Sequence, residues 1–216
     1  MNIAPVKTPV VAKKMFPNYV WDIATTKKEL YLTFDDGPTP NITNFTLETL
    51  KEYDAKATFF CIGSNVEKHP DIFNGIIQDG HTIGNHTQNH VKGWKTKTKD
   101  YLAEVENTQN IIKTYSENTL TSTTKLFRPP YGQITPKQGR KLITLGYKII
   151  MWDVISFDWE QELSEVKCLE NVISKSKQGS IIVFHDSVKA SKNMMYTLPK
   201  VLEFFSKKGY VFKSLA

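Results

Sequence analysis

The chain has 216 residues, 40% hydrophobic and 12% aromatic, which is enough for one sizeable core and is a length at which parallel α/β barrels form a single domain. Its net charge is +6, yet Arg128 and Arg140 are the only arginines among 28 basic residues, and this argues against a nucleic-acid reader, which leans on arginine for phosphate and base contacts. The lysines are scattered, with one looser group at Lys92, Lys95, Lys97 and Lys99, and read as a solubilising surface with weak attraction for anionic cell-wall polymers.

No apolar run approaches membrane-spanning length, so no transmembrane segment is expected. Met1 to Val11 lacks a charged region followed by an apolar one. That pattern fits a cytoplasmic chain, or a secreted or cell-envelope protein whose export signal has been removed. Cys61 and Cys168, the only cysteines, lie in apolar surroundings and read as two buried free thiols.

Residues 1–20 carry Pro5, Pro9 and Pro17 and read as an extended arm or a short strap across the domain; an arm packed on the domain is placed at 1–28 and the main domain at 29–216. Strand-like and helix-length segments then alternate. Tyr31-Leu32-Thr33-Phe34 is the first strand and 41–53 a helix. Ala57–Ile62 is the second strand, and 65–78 a helix. Gly80–Gly84 is a short third strand, followed by a helix from about 97 to 115. Lys125–Phe127 is the fourth strand, and a helix starts at Pro136 and ends near Gly146. Lys148–Trp152 is the fifth strand, 165–176 a helix and Ser180–Phe184 the sixth strand. A helix near 194–208 and a seventh strand at Tyr210–Phe212 close the series. Continuous apolar strands alternating with helices predict an α/β fold with a parallel sheet covered on both sides. Seven units point to a distorted or incomplete (β/α)7 barrel, with an open doubly wound sheet as the rival.

The polar residues Asp35, Asp36, His86, His90, Arg128, Asp158 and His185 all fall at or just beyond strand ends. In a parallel barrel those ends share one face, and that face carries the chemistry. Asp35 and Asp36 precede Gly37-Pro38, which ends the strand. Side chains alternate along a strand, so the two carboxylates leave in different directions with different roles. His86 and His90 are four residues apart; if this turn is helical their Cβ atoms are roughly 6 Å apart, close enough to clasp one metal ion. A carboxylate from Asp35-Asp36 would complete a His-His-carboxylate set with open positions, and its neighbour becomes a credible general base. In Arg128-Pro129-Pro130-Tyr131-Gly132 the prolines fix the backbone, so the N–H groups of Tyr131 and Gly132 are candidate oxyanion donors. Arg128 is a candidate partner for an active-site carboxylate. Trp152 reads as core, whereas Trp159 sits beside Asp158 in a loop where its indole can stack on a sugar ring. His185 reads as a general acid with Asp158 as its partner. His69 and His81 lack ligand spacing and read as structural.

Assembled in order, these motifs resemble the polysaccharide deacetylases of the NodB-homology type, carbohydrate esterase family 4, from about Glu29 to Leu215. The resemblance implies a distorted (β/α) barrel with fewer than eight units. It implies Asp35 as catalytic base, Asp36, His86 and His90 as ligands of Zn²⁺ (Co²⁺ or Ni²⁺ in some members), and Arg128 as the residue that tunes the base. Tyr131 would supply the oxyanion N–H and contact substrate, Asp158 and Trp159 would form the Asp-Trp motif, and His185 would be the acid. The implied activity is metal-dependent removal of N-acetyl groups from an N-acetylglucosamine-containing polysaccharide such as peptidoglycan or a chitin-like glycan, with release of acetate. An O-acetyl esterase and a non-catalytic glycan-binding barrel are the alternatives. Two positions depart from the usual pattern: Ile155, where many members carry an acidic residue, and Val183, where Leu is frequent. The first bears on the shape of the sugar groove.

Overall fold

The computed structural model describes residues 5–116 and 124–216; the first four residues of the expected arm lie outside them. The strands are β1 (Glu29–Asp35), β2 (Ala57–Cys61), β3 (Thr82–Asn85), β4 (Lys125–Phe127), β5 (Tyr147–Ile149), β6 (Val154–Ile155), β7 (Ile181–His185) and β8 (Val211–Phe212). All pairings between them are parallel, in the order β5-β4-β3-β2-β1-β7-β6, with β8 beside β1. The result is a curled sheet with helices between the strands, a distorted (β/α)7 barrel as the sequence implied.

The central strands are buried along almost their whole length. Leu30, Leu32, Phe34, Phe59, Ile182 and Phe184 join the main core, where the Phe34 ring stacks on Phe59 at 5.0 Å and on Phe184 at 5.9 Å. Helices α2 (Ile42–Glu52), α4 (Pro70–Gln78), α7 (Glu165–Lys175) and α8 (Ser191–Ser206) close over this sheet, while α5 (Thr98–Ser116) and α6 (Pro136–Thr144) flank the β4–β5 side. The segment expected as one helix over 65–78 is two, α3 (Gly63–Lys68) and α4. Pro70 opens the second, because a proline has no N–H to continue the first and is well suited to a first helical position.

Strands β5 and β6 do not pair with each other, and the barrel is split there. The N-terminal arm lies across the split. Lys7 bridges to Val154 in antiparallel fashion, Val20 to Ile150 in parallel fashion, and Asp22 to Ser180. Between these points runs a short helix, α1 (Val10–Met15). Asp153, fully buried, anchors the arm: its carboxylate accepts from Lys7 Nζ at 2.9 Å, Lys13 Nζ at 2.6 Å and Ser180 Oγ at 2.6 Å. Burial opposes ionisation of Asp153, and these donors overcome it and hold its pKa below the ordinary carboxylate value. The strand predicted over 148–152 ends at Ile149, and residues 154–155 form an eighth strand of their own. Both thiols are buried and free.

Candidate active site

Strand β1 delivers Asp35 and Asp36 to the sheet's C-terminal edge. Asp35 is the last residue of β1, in register with Phe60 of β2 and His185 of β7. The chain then turns sharply: Asp36 has φ 81, in the left-handed region. Gly37 approaches the carboxylate of Asp186 so closely that an added Cβ would stand 2.0 Å from its Oδ2. Asp186 accepts from the Gly37 N–H at 3.0 Å and from Thr43 Oγ1 at 2.5 Å, and its own N–H donates to the Asp35 carbonyl at 3.1 Å. Asn65 Nδ2 donates to the Asp36 carbonyl at 2.7 Å. The turn is therefore tied to β7, α2 and α3, and both carboxylates reach the cleft, with Asp35 Oδ2 4.0 Å and Asp36 Oδ1 3.7 Å from His86 Nε2.

Asp35 is buried and ionised. Arg128 Nη1 donates to its Oδ1 at 2.8 Å and to Thr33 Oγ1 at 2.7 Å. The same guanidinium donates to the carbonyls of Ile150 and Met151 at 3.2 and 2.8 Å, and lies 4.2 Å from the Phe60 ring centroid. Burial favours the neutral acid, but the fully buried Arg128 overrides it and holds the Asp35 pKa below the ordinary carboxylate value.

Asp36 turns toward the two histidines. Its Oδ1 is 3.7 Å from His86 Nε2 and 3.2 Å from His90 Nε2, and the three ligand atoms lie within 4.8 Å of one another. Asp36 Oδ1 is covered from solvent and accepts no hydrogen bond among the described residues. A buried carboxylate oxygen without a donor is costly. Two neutral imidazole nitrogens facing it form the donor set of a divalent metal, whose ligands, at about 2.1 Å each, stand roughly 3 to 3.5 Å apart. The residues thus fit the expected ion. His86 Nδ1 is 2.8 Å from the Arg128 carbonyl, which sets the tautomer so that Nε2 is free to ligate. Burial lowers the pKa of His86 and, together with the neighbouring His86 ring, brings that of His90 down to about 4, so both are neutral near pH 7. The turn carrying them is not helical. His86 to His90 form a loop in which Thr87 has φ 65 and His90 φ 54, and the two rings meet at 5.0 Å through this loop.

Opposite stands His185, at the end of β7. Asp158 binds it twice: Oδ1 is 2.8 Å from His185 Nδ1, and Oδ2 accepts the His185 backbone N–H at 2.7 Å. Burial alone would lower the pKa of this imidazole; the Asp158 carboxylate reverses that and pushes it up to about 9. Trp159 packs edge-on against His185 at 4.8 Å. Tyr131, in the left-handed region with φ 58, lays its ring 4.5 Å from that of His90 and is 55% exposed. Of the two candidate amide donors in this turn, the Gly132 N–H donates to the Pro129 carbonyl at 3.0 Å, which leaves Tyr131 as the candidate.

All nine residues singled out in the sequence surround one cleft of 500 Å³ or its immediate support. Trp152, read from the sequence as core, is half-buried and lines this cleft, with Ile155, Phe157 and Val183 beside it. Sequence reasoning passed over Thr33 and Asp186, whose roles come from tertiary contacts; the fully buried position of Asp186 directly after His185 carries no local signal. His81 is structural as expected, its Nδ1 accepting from the Ala57 N–H at 3.2 Å.

Residues 22–150 match the family described as polysaccharide deacetylase, a span that includes Asp35 to Tyr131 and stops before Asp158, Trp159 and His185. A peptidoglycan-N-acetylglucosamine deacetylase of Bacillus cereus is 29% identical over 202 residues, covering 91% of this chain and 90% of the relative. Chitin deacetylase 2 of Saccharomyces cerevisiae is 33% identical over 188 residues, 84% of this chain and 57% of that protein. Among solved structures, a peptidoglycan N-acetylglucosamine deacetylase in complex with 4-naphthalen-1-yl-N-oxidanyl-benzamide superposes with a TM-score of 0.86 at 32% identity, over 96% of this chain and 95% of that one.

Proposed function

The chain belongs to the polysaccharide deacetylase family, and from that premise we propose that it hydrolyses the acetamide of N-acetylglucosamine residues in a glycan, releasing acetate and a free amine. The observation that carries this reading is the orphaned Asp36 Oδ1 facing two neutral imidazole nitrogens, with a second, ion-paired carboxylate and a protonated imidazole around the same cleft. Relatives named for peptidoglycan and chitin support the substrate class.

Asp36, His86 and His90 would hold a divalent ion, zinc by donor set with cobalt or nickel as substitutes, and when bound the ion supplies Lewis acidity toward the acetyl carbonyl and toward water. Asp35, kept ionised beside Arg128, accepts a proton from the attacking water as its oxygen bonds to the carbonyl carbon. The Tyr131 N–H donates to the oxyanion that forms. His185 holds the opposite proton state. With Nδ1 occupied by Asp158, its Nε2–H faces the cleft and passes its proton to the amine nitrogen as the C–N bond breaks. Two titrating groups pushed in opposite directions thus divide base and acid work. Trp159 offers its indole to the sugar ring, and Trp152, Ile155 and Val183 give the cleft an apolar wall.

The test is acetate release from N-acetylglucosamine oligomers and from peptidoglycan, with and without chelator. Turnover that chelation abolishes and zinc restores is expected; full turnover by metal-free protein would refute the reading.

A further inference from the structure

The loop after His90 presents a tryptophan to solvent on a rigid mount. Trp94 is 67% exposed, yet its Nε1–H donates to the Ile134 carbonyl at 3.3 Å. The short 3-10 turn that carries it, Gly93–Lys95, is gripped from below by the buried Gln138 of α6, whose Nε2 donates to the carbonyls of Gly93 and Thr96 at 2.9 and 3.0 Å. Gly93 presses on the 131–135 loop so tightly that a Cβ there would stand 2.2 Å from the Gln133 carbonyl oxygen. An ordered, outward-facing indole leaves a large apolar face in water, and such faces mark binding surfaces.

This platform adjoins the cleft. Tyr131 lines the cleft, and Lys92, two residues before Trp94, holds its ammonium 4.7 Å from the Tyr131 ring centroid. Lys189 also lines the cleft. Among the described residues Lys92, Lys95 and Lys189 make no ion pair. The acidic side chains of the cleft itself are taken up within it, Asp35 by Arg128 at 2.8 Å and Asp36 facing His90 at 3.2 Å, while Glu104 accepts from Asn89 and Glu67 from Gln88, each at 2.8 Å. The mouth of the cleft is therefore an aromatic surface edged by unpaired positive charge.

We propose that Trp94 and Lys92 form a subsite for the sugar next to the one being deacetylated, and that this sugar carries a carboxylate. The indole takes the face of the ring, and the Lys92 ammonium meets the acid. A lactyl ether on every second residue of the strand, or a peptide attached to it, has this chemistry, whereas a strand of N-acetylglucosamine alone does not. The inference rests on the deacetylase reading and narrows it to anionic strands.

The experiment compares KM for acetate release on two substrates, a neutral N-acetylglucosamine tetramer and a tetramer of alternating N-acetylglucosamine and lactyl-bearing sugars. Trp94→Ala should raise KM about ten-fold on both, the worth of one aromatic face. Lys92→Gln should raise it about three-fold more on the carboxylated tetramer than on the neutral one, the scale of an exposed ion pair. Added salt should raise the wild-type KM on the carboxylated tetramer and have less effect in Lys92→Gln. Lys141→Gln, on the outer face of α6, is the control and should change neither. Equal effects of Lys92→Gln on the two substrates, or an unaltered KM in Trp94→Ala, would overturn the subsite. If the wild type deacetylates neither tetramer, the deacetylase reading fails instead. The subsite is then read by calorimetry, where the same ranking of affinities supports it and equal binding by wild type and both variants overturns it.

Discussion

Replacing Asp158 by Asn removes the charge that holds His185 protonated while keeping the size of the side chain. The Asp158 carboxylate contacts both Nδ1 and the backbone N–H of His185 at 2.8 and 2.7 Å. It raises the imidazole from the ordinary 6.5 to about 9 against the effect of burial, a difference worth roughly 3 kcal/mol. Without that charge, burial dominates and the pKa falls to or below its ordinary value. At pH 8 the wild-type acid is then ~90% protonated and the variant's ~3%, so kcat should drop about 30-fold on this ground alone. The assay is a kcat–pH profile of acetate release with the divalent ion saturating. The wild type should lose activity as pH rises through about 9, and the Asn variant should lose it near or below neutrality. The same pair contributes to folding: a raised histidine pKa stabilises fully below the unfolded value and loses that contribution as pH rises through the folded one. Thermal stability of the wild type should therefore decline over the same alkaline range, and that of the variant should not. An alkaline limb that stays in place in Asp158→Asn would refute the assignment of His185 as the acid.

Three further outcomes follow from the geometry. Arg128→Met leaves Asp35 buried beside an apolar side chain, and removing one member of a buried pair costs about 3–5 kcal/mol; a chemical denaturation curve should show this loss, with turnover abolished as well. Gly37→Ala forces a Cβ into the Asp186 carboxylate, 2.0 Å away, and should lower both the midpoint of thermal unfolding and the affinity for zinc, read by calorimetry. Asp153→Ala strips the arm of the buried carboxylate that receives Lys7 and Lys13; limited proteolysis should then cut within residues 5–22 faster than in the wild type, while cleavage elsewhere is unchanged.

The strand ends were legible because buried parallel strands are unbroken apolar runs, and their polar terminal residues stand out against them. That is why the sequence alone places Asp35, Asp36, Arg128 and His185 on one face. The histidine pair was found by spacing, but its conformation was not: four-residue spacing suggests a helical turn, whereas positive φ at Thr87 and His90 brings the rings together through a loop. Nothing local predicts this, since neither residue is glycine. The arm is legible as a strap across the domain, but its closure of the split barrel is not. Isolated bridges at Lys7, Val20 and Asp22 leave no periodicity to read, and Asp153 looks like any aspartate until two lysines from far away in the chain converge on it. The break of the 65–78 helix, by contrast, was signalled by Pro70 and follows from its missing N–H.

The central claim is that one ion is gripped by a carboxylate and two imidazoles while a second carboxylate stands beside it unligated. A crystal soaked in zinc and measured at the metal's absorption edge addresses this most directly. A single anomalous peak bonded to Asp36 Oδ1 and the Nε2 atoms of His86 and His90, with Asp35 still on Arg128, is the predicted result. A peak that engages Asp35 in place of Asp36, or that lies away from both histidines, would contradict it.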